Sequence, residues 1–147
     1  MTTWSPDFLV GYETTELALP GAEPAPGEPA DVELVATLIR KSGPRIGTRA
    51  VLYLHGWNDY FFQTHVADYL TDLGYDFYAV ELRRYGRSIR PGQLRGFITD
   101  LDDYAVELDA AANLIAFVVA LVFCIMATMA ASKHQPYRYP VNTRFIK

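Results

Sequence analysis

The stretch VLYLHGWNDYFFQTH, residues 51–65, decides the fold prediction, because an apolar run stops at a His-Gly pair and a helical pattern follows. Residues 51–54 predict a short strand that is buried on both faces. Asn58 and Asp59 predict a turn that caps a helix over residues 59–73, which Gly74 ends. The apolar face of this helix is formed, at helical spacing, by Phe62, Val66, Tyr69, Leu70 and Leu73.

The segments on either side of this stretch predict further strands and a second helix. Residues 8–19 and 32–41 alternate between apolar and polar side chains, and the second of these segments predicts a half-exposed strand. Residues 75–82 predict another strand, and residues 99–113 predict a helix that begins with a Thr-x-x-Asp capping box. Strands that alternate with helices indicate βαβ units, a parallel sheet and the α/β class. We therefore expect residues 51–54 and 77–82 to be adjacent parallel strands.

The composition of the 147-residue chain indicates one globular domain. Half of the residues are hydrophobic and 20% are charged, as in folded proteins. The formal net charge of -4 argues against a nucleic-acid partner, which usually needs a basic face. Cys124 is the single cysteine, so no intrachain disulfide forms and a reducing compartment is favoured. The first residues lack a basic region and a long apolar core, so we expect no secretory signal.

The motifs between residues 51 and 88 resemble the N-terminal half of an α/β-hydrolase. The resemblance is to the serine aminopeptidase or lysophospholipase-like branch, which includes monoacylglycerol-lipase-like proteins. It rests on His55-Gly56 after a strand, Gly74-Tyr75 after a helix, and an Arg-x-x-Gly-x-Ser loop at residues 83–88. It extends over about residues 8–113. It implies the N-terminal half of a hydrolase sheet, with two leading strands and then βαβα. The residue pattern after this half-sheet predicts a long apolar helix instead of the next strand of the family.

The resemblance also implies roles for individual residues. Gly56 and Trp57 are oxyanion-hole candidates, with the backbone amide of Trp57 as one donor. The other candidates, which would shape the substrate edge of the sheet, are His55, Arg83, Gly86 and Ser88. The residues alone leave simpler interpretations open. In these interpretations Gly56 makes only a tight turn and His55 is a packing residue. The arginines at 83, 84, 87 and 90 are then solvated charges. No metal ion or cofactor is expected.

The catalytic groups of a serine hydrolase are not found in the sequence, so no catalytic residue is assigned. None of Ser5, Ser42, Ser88 and Ser132 has Gly two residues before and two residues after it, as a nucleophile elbow requires. We therefore expect a truncated hydrolase that is inactive alone. Ester or lipid substrates are expected only for its intact relatives. The alternative is a non-catalytic single-pass membrane protein with a hydrolase-like module.

Leu114–Ala131 is an uncharged apolar run without Gly or Pro. As a helix its 18 residues would be about 27 Å long, close to the hydrocarbon core of a bilayer. Three interpretations stay open: a transmembrane helix, a buried strand at residues 117–123, and a tail from a shifted reading frame or a chimeric gene. The expected domains are residues 1–113, 114–131 and a basic tail at 132–147. Membrane association through Leu114–Ala131 is the predicted location, and the cytoplasm is the alternative.

Overall fold

The computed structural model describes residues 3–44 and 49–117. The chain divides into two compact units, Met1–Ala112 and Asn113–Lys147, and the strands found among the described residues belong to the first. The strands are β1 (Ser5–Pro6), β2 (Tyr12–Ala18), β3 (Val35–Lys41), β4 (Ala50–Leu54) and β5 (Asp76–Glu81). The helix α1 (Thr64–Asp72) joins the last two strands. Short 3-10 turns follow at Gly86–Ser88 and Leu101–Tyr104, and residues 105–117 are helical.

The five strands form one mixed sheet in the order β1-β2-β3-β5-β4. β1 with β2, β2 with β3, and β3 with β5 are antiparallel pairs, whereas β4 and β5 are parallel. In the parallel pair Val51 lies opposite Phe77 and Leu54 lies opposite Val80. The predicted parallel neighbours with a connecting helix are therefore confirmed, although the helix is shorter than predicted.

The predicted fold class is wrong for the described chain. We expected the N-terminal half of a parallel α/β-hydrolase sheet followed by a long apolar helix, and we find a small mixed five-stranded sheet with a short helix. The physical reason is that periodicity and turn residues identify strands and helices but not the direction of pairing between distant strands. Three of the four pairings are antiparallel, so the βαβ unit is a local feature of a different sheet.

The burial of β3 and β4 is the reverse of the prediction. Five of the seven residues of β3 are buried, although its alternating sequence predicted a half-exposed strand. β4 is half-buried with exposed ends, although its apolar run predicted burial on both faces. The sheet order explains both results, since β3 has neighbours on both sides whereas β4 is the last strand of the sheet. Position in a sheet, rather than the residue pattern, determines how much of a strand is covered.

Helix α1 begins later than predicted and turns a different face to the core. Its N-cap is Gln63, which makes no side-chain capping bond, so the predicted caps Asn58 and Asp59 are wrong. Gly74 ends the helix as predicted, with a φ of 83° that favours glycine. Ala67 is the buried residue of the helix. Phe62, Tyr69 and Leu73 of the predicted apolar face are exposed.

The core between the sheet and α1 is built around Phe61, which is fully buried. Its ring centroid lies 5.4 Å from that of Tyr12 and 5.3 Å from that of Phe77. Ile39 and Ala79 complete this cluster from the two central strands. Offset and edge-to-face aromatic pairs of this kind add to the free energy of burial. Phe61 therefore ties the segment before α1 to three strands of the sheet.

The start of the C-terminal helical segment differs slightly from the prediction. The capping box is formed by Asp100 and Asp103, one residue later than the predicted pair. Within residues 3–44 and 49–117, no helix is long and apolar enough to cross a membrane. Residues 118–131 of the predicted apolar helix, and the alternative strand beyond residue 117, lie outside the described residues.

Glu81, the last residue of β5, is fully buried and ionically paired. Its carboxylate accepts hydrogen bonds from the backbone N–H groups of Phe61, at 2.9 Å, and Arg87, at 2.5 Å. Gly86 approaches this carboxylate so closely that a Cβ atom there would overlap Oε2 and lie 2.7 Å from Cδ. The same Cβ atom would lie 2.8 Å from Cβ of Tyr60. Only glycine is compatible with this approach.

We expect Gly86→Ala to lower the free energy of unfolding by about 3 kcal/mol, because the new methyl group must displace either the buried carboxylate or the backbone near Tyr60. Chemical denaturation of the full-length chain measures the change. Gly21→Ala is the matched control, since Gly21 also has a positive φ, of 82°, but has open space around it. The control should cost only about 1–2 kcal/mol, the strain of a left-handed alanine. Equal losses for the two variants would contradict the proposed overlap.

Candidate functional site

The candidate site is a cavity of about 600 Å³ beside the segments that follow β4 and β5. The two strands are parallel neighbours, so the loops after them meet at one edge of the sheet. A volume of this size is typical of sites for small molecules. The cavity is lined by Phe8, Trp57, Asn58, Asp59, Tyr60, Arg84, Tyr85, Gly86, Arg87, Arg95 and Gly96.

Aromatic side chains form much of the accessible wall. Trp57 is 77% exposed, and its ring centroid lies 6.2 Å from that of Tyr85 in an edge-to-face arrangement. Phe8 and Tyr60 are also exposed. Exposed aromatic rings that face one cavity offer flat apolar surface to a ligand.

His55 supports this wall from inside the protein. It is buried, and its ring centroid lies 4.6 Å from that of Tyr85. Its Nε2 atom accepts a hydrogen bond from the backbone N–H of Leu82 at 3.1 Å. Nδ1 therefore carries the proton and donates to the carbonyl of Gly56 at 2.8 Å. His55 thus joins the end of β4 to the end of β5, as the packing interpretation predicted.

The structure separates the six predicted site residues into two groups. Trp57 and Gly86 line the cavity, and Gly56 is exposed nearby with open space where a Cβ atom would stand. His55, Arg83 and Ser88 are buried and do not line it. The oxyanion-hole role of Gly56 and Trp57 stays a prediction.

Ser88 serves the interior of the fold. Its side chain is fully buried. Its Oγ atom lies 2.9 Å from the carbonyl of Glu81 and 3.0 Å from Oγ1 of Thr37 on β3. Both contacts tie the turn after β5 to the sheet, so the hydroxyl satisfies buried polar groups instead of facing the cavity.

Arg83 forms a buried ion pair with Glu107. Its Nε and Nη2 atoms contact the two carboxylate oxygens at 2.5 and 2.7 Å, and Nη2 also donates to the carbonyl of Asp103 at 2.9 Å. Hydrogen bonding to the carboxylate of Glu107 raises the pKa of Arg83. The two side chains are 5% and 0% exposed, so the solvated-charge interpretation of Arg83 is wrong.

Arg84 and Glu28 form a second buried pair beside the cavity. Arg84 has a φ of 66°, and its Nε and Nη2 atoms each lie 2.8 Å from one oxygen of Glu28. Hydrogen bonds from Arg84 lower the pKa of Glu28 to about 2. Glu28 also accepts from the backbone N–H groups of Ala25, at 2.7 Å, and Leu94, at 2.8 Å. The pair thus holds two distant loops together.

Arg87 completes the paired arginines at the wall. Its Nε and Nη2 atoms contact the two oxygens of Asp7 at 2.9 and 2.7 Å, and Nη1 pairs with Glu81. The guanidinium group lies 4.2 Å from the centroid of Phe8. Its charge is therefore neutralised by two carboxylates, and the solvated-charge interpretation is wrong here too.

Arg95 was missed by the sequence analysis and is the unpaired cation of the cavity. It is exposed, and it makes no ion pair or hydrogen bond within the part of the chain that the structure describes. Its sequence neighbourhood, Pro-Gly-Gln-Leu-Arg-Gly, gives no motif that separates it from the other arginines of the loop. Arg95 differs from them in having no carboxylate partner among the described residues, which only the structure reveals.

The class of protein that this geometry defines is a small mixed-sheet protein with a ligand-sized cleft. Among the described residues, no group of three or more His, Cys, Asp or Glu side chains is placed to hold a metal ion. The wall combines aromatic surface with one free guanidinium group. Such a combination is suited to binding a small molecule.

Comparison with known proteins finds a similarity in one part of the chain. Residues 107–146, 40 of the 147, match the family described as the magnetosome magnetite crystal formation protein family (MamF/MmsF). No curated protein and no solved structure matches the chain.

These comparisons correct the expected resemblance and function. No α/β-hydrolase family matches the chain. The family that does match covers the apolar run, where the resemblance to a hydrolase ended. The predicted truncated hydrolase is therefore wrong, and the alternative of a membrane protein with a hydrolase-like module is not supported. The motifs around residues 55, 74 and 83–88 are explained by the local requirements of the fold: a histidine bridge, a helix end and a paired loop.

We expect Glu107→Leu to lower the free energy of unfolding by about 3–5 kcal/mol, because it leaves Arg83 buried without its counter-ion. Adding Arg83→Met should recover most of that loss, since the second change removes the orphaned charge. Denaturant midpoints of the single and double variants measure the coupling. Asp68→Asn, which breaks the exposed pair with Lys41, should cost less than about 1 kcal/mol. Additive losses from the two buried substitutions would contradict the pairing.

We also expect acid sensitivity from Glu28. Its folded-state pKa of about 2 lies below its ordinary value of 4.5, so its contribution is full above about pH 4.5 and is lost as the pH falls to about 2. The wild type should lose about 3 kcal/mol more than Glu28→Gln over this range. Unfolding experiments between pH 2 and 6 measure the difference. The exposed Glu33→Gln should follow the wild type, and parallel curves for wild type and Glu28→Gln would refute the assignment.

Proposed function

We propose that the chain takes part in the formation of magnetite crystals in magnetosomes, through residues 107–146. The single observation that carries this proposal is the match of that segment to the magnetosome magnetite crystal formation protein family. The match includes the whole apolar run and all but the last residue of the basic tail, which differ in composition from the rest of the chain. The family description thus offers a role for the apolar run and the basic tail.

Exposed carboxylates just before and at the start of the matched region support a role near cations. Asp100, Asp102, Asp103 and Asp109 are all exposed. Carboxylate oxygens are ligands that hard metal ions prefer, and a group of like charges raises the local concentration of counter-ions. We assign no discrete iron site to them, and their contribution is a general attraction of cations.

Glu107, the first residue of the matched region, lies in the sheet unit and pairs with Arg83. A deletion that began at residue 107 would leave that arginine unpaired and would confuse loss of function with loss of folding. A chain that ends after residue 117 keeps the pair and removes residues 118–147. This truncation is therefore the informative variant.

The test is magnetite precipitation from a mixture of ferrous and ferric salts in the presence of the purified full-length chain. We expect the full-length chain to change the mean crystal size measured by electron microscopy. The chain that ends after residue 117 should give crystals indistinguishable from those grown without protein. A full-length chain in which residues 118–147 are scrambled controls for composition, and it should behave like the truncated chain.

Equal effects of the full-length and scrambled chains would refute a role for the matched sequence. An unchanged crystal size with the full-length chain would refute the proposal as a whole. The stability of the truncated chain is measured in parallel by denaturation, so that a folding defect is recognised separately.

A further inference from the structure

We propose that the cavity beside β4 and β5 binds a flat aromatic molecule that carries one carboxylate group, with Arg95 as the partner of the carboxylate. This inference concerns the sheet unit and does not rest on a role in magnetite formation. It depends on three observations: the ion pairs of the other arginines in the wall, the hydrogen-bonded backbone on both sides of Arg95, and the exposed aromatic rings.

The cations of the wall differ in whether their charge is already satisfied. Arg84 pairs with Glu28, and Arg87 pairs with Asp7 and Glu81. Each of these guanidinium groups has the counter-ion that a buried charge needs, so neither is free to hold a ligand anion. Arg95 has no such partner among the described residues, and its five N–H donors are available in a planar fork.

The backbone around Arg95 is held on both sides. Leu94 donates its backbone N–H to Glu28 at 2.8 Å, and Gly96 donates to the carbonyl of Arg84 at 3.2 Å. Arg84 also donates to the carbonyl of Phe97 at 3.2 Å. The buried Arg84–Glu28 pair therefore fixes the position from which the Arg95 side chain starts, which lowers the entropy lost when a ligand binds.

Gly96 brings this loop against the aromatic wall. Its φ is 64°, and a Cβ atom there would lie 3.1 Å from the hydroxyl oxygen of Tyr85 and 3.6 Å from the ring of Trp57. The guanidinium-bearing loop and the two rings are thus neighbours in one wall. A flat ligand that packs on the exposed ring of Trp57 has a cation within the same cavity.

Asp59 is the carboxylate of the wall and is the reason to test the sign of the ligand charge. Its Oδ1 atom accepts from the backbone N–H of Tyr60 at 2.8 Å, and Oδ2 accepts from Gln63 at 3.5 Å. Both oxygens are used within the turn before α1, whereas Arg95 has no partner. These donors are neutral and leave the charge of Asp59 in place, so the wall carries one unpaired carboxylate and one unpaired guanidinium group. The oxygens of Asp59 already accept hydrogen bonds, whereas all the donors of Arg95 are free, so a ligand carboxylate is expected on Arg95.

The experiment compares 2-naphthoate with its neutral analogue 2-naphthamide and its cationic analogue naphthalen-2-ylmethylamine on the ¹⁵N-labelled full-length chain. For ligands of this size we expect a Kd on the order of 1 mM for naphthoate, and about tenfold weaker binding of the other two. Binding is followed by the indole N–H signal of Trp57. The indole signal of Trp4, which packs against Arg40 away from the cavity, is the internal control.

Arg95→Gln should weaken naphthoate binding about tenfold and leave naphthamide unchanged, and Arg95→Lys should retain most of the affinity. Arg49→Gln removes the same charge at the opposite end of β4 and should have no effect. Naphthamide or the amine binding as tightly as naphthoate would overturn the proposal. So would an unchanged naphthoate affinity in Arg95→Gln, or shifts at Trp4 instead of Trp57. The comparison of the three ligands on the wild type decides the charge preference without any variant.

Discussion

The buried carboxylate of Glu81 is the interaction on which the arrangement of the sheet unit depends. It lies at the end of a central strand and accepts hydrogen bonds from two backbone N–H groups and from the guanidinium group of Arg87. Through Arg87 it also holds Asp7 near the N-terminus. A carboxylate is costly to bury, so its partners must all be in place before the site is stable. The aromatic core at Phe61 and the loop after β5 are therefore positioned by one charge.

Two further ion pairs extend this principle, one beside the cavity and one away from it. Arg84 with Glu28 connects the proline-rich loop after β2 to the loop that carries Arg95, and Arg83 with Glu107 connects β5 to the helical residues 105–117. Long loops lose conformational entropy when they are ordered, and the enthalpy of charged hydrogen bonds offsets part of that loss. Paired arginines hold several of the described loops in place, and the cavity lies beside two of these arginines, Arg84 and Arg87.

The sequence predicted the elements of the fold better than their arrangement. Strands near residues 12–18, 35–41 and 76–81 and the glycine that ends α1 follow from alternation and turn chemistry. The antiparallel pairings, the edge position of β4 and the buried face of α1 depend on distant contacts that no local pattern contains. At the site, Trp57 and Gly86 were found from the motif, whereas Arg95 was not. An unpaired arginine is identified only by knowing where every nearby carboxylate points.

Glu107 belongs both to the segment that matches the magnetosome family and to the buried pair with Arg83. A gene rearrangement that joined a new C-terminal segment upstream of this codon would keep the buried ion pair only if the incoming sequence supplied an acidic residue at the same helical position. A junction after residue 117 carries no such restriction from this pair. Tolerated recombination breakpoints are therefore expected on the C-terminal side of the helical turn that contains Glu107.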